Sequence, residues 1–202
     1  MVDERIYLTK DKLKEIEADM RFRRHLDRYF MIRQFCYGVV IDAACGCGYG
    51  SHIISQNPDV TSVLGVDIDP EAVQYAHYQY QSDKVDFVCS KIHLLHPPKA
   101  DILVSIETIE HLEYPQDLYY LAKRAEVHTI IVSFPAKVST TYNPFHKFDF
   151  DQVDITQIFP SFSPRKNIFE NNELVIMHLS KFTTTTVGSV QPTAPKRWRT
   201  CK

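Results

Sequence analysis

Apolar positions along the chain fall into segments of two kinds. Residues 10 to 36 carry Leu13, Ile16 and Met20, then Leu26, Tyr29, Phe30 and Phe35, spaced by threes and fours among many charges. That spacing predicts an amphipathic helix or two short ones. Arg21, Arg23 and Arg24 fall on its outward side and read as a solvated face rather than a substrate-steering surface. The pattern then changes to the short run Val39 to Ala44, apolar except for Asp42, as a buried parallel strand would be. It ends in Gly46-Cys47-Gly48-Tyr49-Gly50 and passes into a helical stretch at Ser51 to Ile54. A second run, Val63 to Val66, stops at Asp67-Ile68-Asp69-Pro70. There Asp69 suits a helix N-cap and Pro70 a first helical position, ahead of Val73, Ala76 and Tyr80.

Val85 to Val88, Asp101 to Ser105 and His128 to Ser133 give three more strands, with a helical stretch from Pro115 to Glu126 between the last two. Strands alternating with helices predict an α/β fold, an open and mostly parallel sheet covered by helices on both faces. After Pro135 a loop rich in Thr, Asn and Pro leads to a short helix near 151 to 159. Two late strands, Asn167 to Glu170 and Leu174 to Leu179, flank an Asn-Asn turn and predict an antiparallel hairpin at one sheet edge. Residues 1–182 read as a single domain with an N-terminal helical segment. Residues 183–202, rich in Thr and Pro, read as a disordered tail whose basic end is solvated.

Composition narrows the partners. The 202 residues are 44% hydrophobic and 24% charged, which excludes a disordered or fibrous chain. Twenty-three Lys and Arg against 25 Asp and Glu give a net charge of -2, so no global field draws in nucleic acid or an anionic membrane. No apolar run reaches the length of a membrane span, and the start, MVDERIYLTKDK, alternates charges where a signal peptide would be apolar; the expectation is a cytoplasmic protein. The five cysteines form no CxxC pair, and four sit in or beside apolar segments, so they are expected to be reduced and structural.

The chemistry concentrates after the first two strands. A glycine-rich turn there lets backbone approach a ligand and aims amides at it. Dinucleotide sites use GxGxxG, but here Tyr49-Gly50 breaks the third glycine's position, which argues against an NAD-dependent oxidoreductase. Asp42 would repel a pyrophosphate and suits the cationic amino group of an amino-acid-like ligand, whereas Asp67 at the neighbouring strand tip suits the hydroxyls of a ribose. Together they select an adenosine ligand with a cationic amino-acid tail.

With these residues in view, the chain resembles the class I S-adenosylmethionine-dependent methyltransferases. VVIDAACGCGYG is similar to that family's first motif, VLGVDID to its ribose motif, DILVSIETIEHLEYP to the motif after the fourth strand, and HTIIVSFP to its fifth strand. The similarity spans roughly residues 24 to 180. Within the family, RY, ACGxGYGS, SIETIEHL and NPFH most resemble small methyltransferases that modify sugars of cell-surface polysaccharides. The resemblance implies a Rossmann-like sheet and S-adenosylmethionine as cofactor. Carried over by position, Gly46 and Gly48, with Ala44 beside them, line its methionine part, Asp42 holds its amino group, Asp67 binds the ribose and Ile68 packs on the adenine. Ile92 supplies a backbone amide, because Ser90-Lys91-Ile92 replaces the family's usual acidic pair, and Ile106 and Glu107 lead into the active-site mouth. The family's Pro-Gly-Gly turn before the fifth strand is replaced by Ala125-Glu126-Val127-His128.

Methyl transfer from a sulfonium needs alignment and a dry site more than a covalent nucleophile. A hydroxyl acceptor must lose its proton, and His111, His146 and Glu107 are the candidate catalytic groups, the two histidines as bases. The acceptor is expected to be a saccharide or other small polar molecule, methylated on oxygen or nitrogen, and the site is expected to hold no metal. Alternatives stay open: Glu110 and His111 tying a loop together, His146 closing a lid, or a non-catalytic cofactor-binding module. Two carboxylates and two histidines could also hold a divalent metal, as in small-RNA 2′-O-methyltransferases with a similar E-x-x-E-H and a distal His.

Overall fold

Five parallel strands place the glycine-rich turn and the strand tips at one edge of a sheet. The computed structural model describes residues 7–12, 20–135, 137–141, 143–170 and 172–179. In chain order the elements are α1 (Met20–Arg33), β1 (Gly38–Ala43), α2 (Tyr49–Ser55), β2 (Val60–Asp67), α3 (Pro70–Tyr80), β3 (Val85–Cys89), β4 (Ile102–Ile106), α4 (Gln116–Arg124), β5 (Thr129–Pro135), α5 (Gln152–Ile158), β6 (Phe162–Glu170) and β7 (Asn172–Leu179). The sheet order is β3-β2-β1-β4-β5-β7-β6, with β7 antiparallel to β5 and β6 antiparallel to β7. The chain leaves β1 for β2 on one side and returns to β4 on the other. That reversal opens a crevice at the strands' C-terminal ends, where α/β sheets bind ligands.

Both faces of the sheet are covered, which is why its strands read as unbroken apolar runs. Successive residues serve opposite faces: Val40, Ile102 and Ile131 pack towards α1, α2 and α3 with Leu26, Ile32, Ile54 and Val73, whereas Ile41, Leu103 and Val132 pack towards α4 and α5 with Leu118, Leu121, Ile155 and Phe159. Asp69 caps α3 as expected, its side chain accepting from the amides of Glu71 and Ala72. Among the described residues no helix is long and apolar enough to cross a membrane.

The structure departs from expectation in particular places. β6 begins at Phe162 rather than Asn167, because its outer residues pair with β7 as far as Leu179 across a register shift at Pro164. Proline lacks a donor and is tolerated in an edge strand at such a bulge. The replacement for the Pro-Gly-Gly turn works without glycine: Glu126 takes φ 55°, and the amides of Val127 and Glu126 close α4 onto the carbonyls of Ala122 and Lys123. Cys36, Cys45 and Cys47 are buried, but Cys89 is exposed at the tip of β3, so the structural reading fails for that thiol. Leu13 and Ile16 of the expected helix, Cys201 and the tail at 183–202 lie outside the described residues.

Candidate active site

Beyond the C-terminal tips of β1, β2 and β4 lies a cleft of about 1070 Å³. Ala44, Gly46, Asp67, Ile68, Ile92, Ile106, Glu107 and His111 all line it. Two of these residues are strained: Ala44 has φ 62° and Glu107 φ 50°, left-handed values that side chains disfavour. Such outliers cluster where a site dictates the backbone path. Gly46, at φ 54°, has only open space where a Cβ would stand, so nothing obstructs a ligand there.

Asp67 is nearly buried, and backbone amides hold both its oxygens: Gly46 N donates to Oδ2 at 2.8 Å and Asp69 N to Oδ1 at 3.0 Å. A carboxylate has roughly four acceptor sites, so two amides leave capacity for a pair of hydroxyls. Ile68 beside it is 59% exposed, an uncommon state for a large aliphatic side chain and a ready face for a flat ring. Ile92 lies in a 3₁₀ turn, Ile92–Leu94, that Arg124 pins by donating to the carbonyls of Ile92 at 2.8 Å and Leu95 at 3.1 Å.

Two expected cofactor contacts fall behind the wall of the cleft. Asp42 is fully buried and points to the α1–α2 side, where its carboxylate accepts from Ser51 Oγ at 2.6 Å and from Tyr29 OH at 3.5 Å. Burial pushes its pKa up to about 7, despite these hydrogen bonds. The strand-end position was right, but the alternation of side chains along β1 turned the carboxylate away from the turn. Gly48, at φ 85°, packs inward instead: a Cβ there would meet Ala76 Cβ and the Phe87 ring at 2.7 Å. It allows α2 to start close against α3 and β3 and does not line the cleft.

On the β4 side, Glu107 is fixed by Ser133, whose hydroxyl donates to Oε1 at 2.6 Å, while Arg28 Nη2 stands 3.6 Å from Oε2. Both oxygens of this carboxylate are thus engaged by neighbouring side chains, which fix its direction at the cleft wall. A 3₁₀ turn, Ile109–His111, follows. His111 Nδ1 lies 3.1 Å from the carbonyl of Phe145, which can only accept, so Nδ1 carries a proton, and in the neutral ring the lone pair falls on Nε2. His111 Nε2 is 3.9 Å from Oε1 of the buried Glu110. His146 arrives from the loop after β5, its ring edge-on to His111 with centroids 4.6 Å apart. Glu110, His111 and His146 each present a metal-ligating atom within 4.8 Å of the others. Glu107 lines the cleft beside this group, and a site expected to be metal-free thus contains a compact donor set.

A model of the methyltransferase domain family matches residues 41–125, the stretch from β1 to the end of α4 that carries the turn, Asp67 and the His111 segment. The matched stretch is a methyltransferase domain, in agreement with the class I S-adenosylmethionine-dependent resemblance read from the sequence. Solved structures agree on the fold. Magnesium protoporphyrin IX methyltransferase from Synechocystis PCC 6803, with bound S-adenosylhomocysteine, is 18% identical over 84% of this chain and 94% of its own, with TM-score 0.67. A S-adenosylmethionine-dependent methyltransferase from Aquifex aeolicus is 15% identical over 84% of this chain and 98% of its own, TM-score 0.63. The small RNA methyltransferase HEN1 is 16% identical over 84% of this chain and 26% of its own, TM-score 0.63. No curated protein sequence matches the chain.

The cleft fits S-adenosylmethionine, the cofactor that the sequence motifs imply: an amide-held carboxylate, an exposed aliphatic face and an unobstructed glycine lie along one wall. The supporting residues escaped sequence reasoning. Ser139, Arg124 and Asp149 lie in no quoted motif, while Ser51 in ACGxGYGS, Ser133 in HTIIVSFP and the RY pair, Arg28 and Tyr29, stood in motifs without a role attached.

Proposed function

We propose that this methyltransferase transfers a methyl group to a hydroxyl of an uncharged, saccharide-like acceptor. The observation that carries the reading is the grouping of Glu110, His111 and His146 beside the cleft. His111 keeps a lone pair on Nε2, which suits it to take the acceptor's proton while the hydroxyl oxygen attacks. The cofactor supplies a methyl group already activated by a sulfonium. The chain holds it through Asp67 on the ribose, Ile68 packed on the adenine with a backbone amide from Ile92, and Ala44, Gly46 and Ile106 along the methionine part. Glu107, in the cleft wall where Asp42 is not, receives the ammonium group, a binding role in place of the catalytic one expected for it.

Charge supports the choice of acceptor. The cleft's rim carries Asp69, Glu71, Glu113 and Asp117 against Lys91 and Lys147, a balance that disfavours a polyanion. Tyr114 and Phe145, 62% and 50% exposed, offer aromatic faces at the same mouth.

A second reading rests on the donor set itself: Glu110, His111 and His146 would hold a divalent metal that orients a ribose hydroxyl at an RNA end. The fold likeness to the small RNA methyltransferase HEN1 agrees with it. One assay separates the two. Methyl transfer is measured on a panel of saccharides and of RNA ends, with and without EDTA. Saccharide methylation that persists in EDTA supports the first reading. RNA methylation that EDTA abolishes and manganese restores replaces it with the second.

A further inference from the structure

We infer that Ser139 and Asp149 are positioning residues that hold the His146 ring with its proton on Nδ1 and its lone pair on Nε2. Only the catalytic consequence rests on the hydroxyl-acceptor reading above.

Ser139 Oγ stands between two groups, 2.6 Å from His146 Nδ1 and 3.2 Å from Asp149 Oδ1. A carboxylate only accepts, and a serine hydroxyl has one proton. Given to Asp149, that proton leaves an Oγ lone pair facing Nδ1, and Nδ1–H must then donate. The reverse arrangement would set an Oγ lone pair against the carboxylate, and Ser139, 1% exposed, has little access to water that could relieve it.

Asp149 is locked in place for this task. Its oxygens also accept from the amides of Ser139 at 2.7 Å and Thr140 at 3.2 Å, and from Thr140 Oγ1 at 2.6 Å. Partial burial would raise its pKa, but these hydrogen bonds bring it below the ordinary carboxylate value, so the acceptor stays ionised.

His111 shows the same polarity through a different partner, the Phe145 carbonyl. Two rings in edge-on contact thus each turn Nδ1–H into the loop and keep Nε2 as the basic nitrogen. A neutral imidazole in water prefers its proton on Nε2, so the loop imposes the opposite tautomer on both. Whether Nε2 serves as base or as ligand, the outer partner of the ring decides that it carries a lone pair.

The test uses the full chain labelled with nitrogen-15 histidine, above the imidazole pKa, with His146 assigned by difference from His146→Gln. Long-range proton–nitrogen correlations are expected to show His146 protonated on Nδ1. Ser139→Ala should shift the ring toward the Nε2–H form and slow methyl transfer about 10- to 100-fold, with unchanged KM for S-adenosylmethionine. Ser139→Thr, which keeps the hydroxyl, should restore both. A parent spectrum with the proton on Nε2 overturns the inference before any variant is made, as does a Ser139→Ala protein whose ring stays Nδ1–H. A ring found Nδ1–H in a protein that methylates no hydroxyl upholds the tautomer and removes the acceptor reading instead.

Discussion

The amide of Gly46 donates to Asp67 Oδ2 at 2.8 Å, tying the turn after β1 to the tip of β2. The bond aims the carboxylate along the cleft and fixes the glycine's bend at the same time, so cofactor wall and turn geometry depend on one another.

Removing that carboxylate should therefore affect binding directly. Asp67→Ala is expected to weaken S-adenosylhomocysteine binding by roughly 10- to 100-fold, the loss expected for hydrogen bonds to a charged group. Isothermal titration calorimetry checks this, and an affinity equal to the parent's would remove the ribose assignment.

The two glycines of the turn should separate cleanly. Gly48→Ala puts a methyl against Ala76 and Phe87 and keeps a disfavoured φ, so it should lower stability by about 3 kcal/mol in urea unfolding. Gly46→Ala meets only open space and should cost about 1 kcal/mol from its φ alone, yet lose cofactor affinity because the methyl occupies the cleft.

His146 is not part of the cleft wall, although its partner His111 is. His146→Ala is expected to leave S-adenosylhomocysteine affinity within twofold and to slow methyl transfer by about 10²- to 10⁴-fold, as loss of a base or an equivalent ligand would. Equal losses of binding and rate would instead place the ring against the cofactor.

Asp42 should leave a mark on the pH dependence of stability. Its pKa rises from 3.8 to about 7 on folding, chiefly through burial. A raised acid favours the folded state below pH 3.8, and that contribution is lost as pH climbs to about 7. The loss amounts to roughly 4 kcal/mol at about 1.4 kcal/mol per unit. Asp42→Asn cannot ionise, so its stability relative to the parent should increase across this interval and level off above it. Urea titrations at a series of pH values measure the difference, and a flat difference curve would contradict the raised value.

The hydrophobic pattern by itself determined the strands, their alternation with helices and the late hairpin, because a strand buried on both faces must read as an unbroken apolar run. Local chemistry likewise determined the Asp69 cap and the turn, since N-caps and positive φ angles are demands made by neighbouring residues. Spacing along the chain put Asp42, Asp67 and Glu107 at strand ends and His111 in the turn that follows β4. Only the tertiary structure decided which of them face the ligand. Asp42 and Asp67 look equivalent in sequence, yet one turns to Tyr29 and Ser51 and the other to the cleft. The partners of His146 were equally invisible, because Ser139 and Asp149 acquire their role from a loop fold that gathers hydrogen-bond donors around one carboxylate. A side chain's direction and its partners belong to packing in three dimensions, which no local pattern encodes.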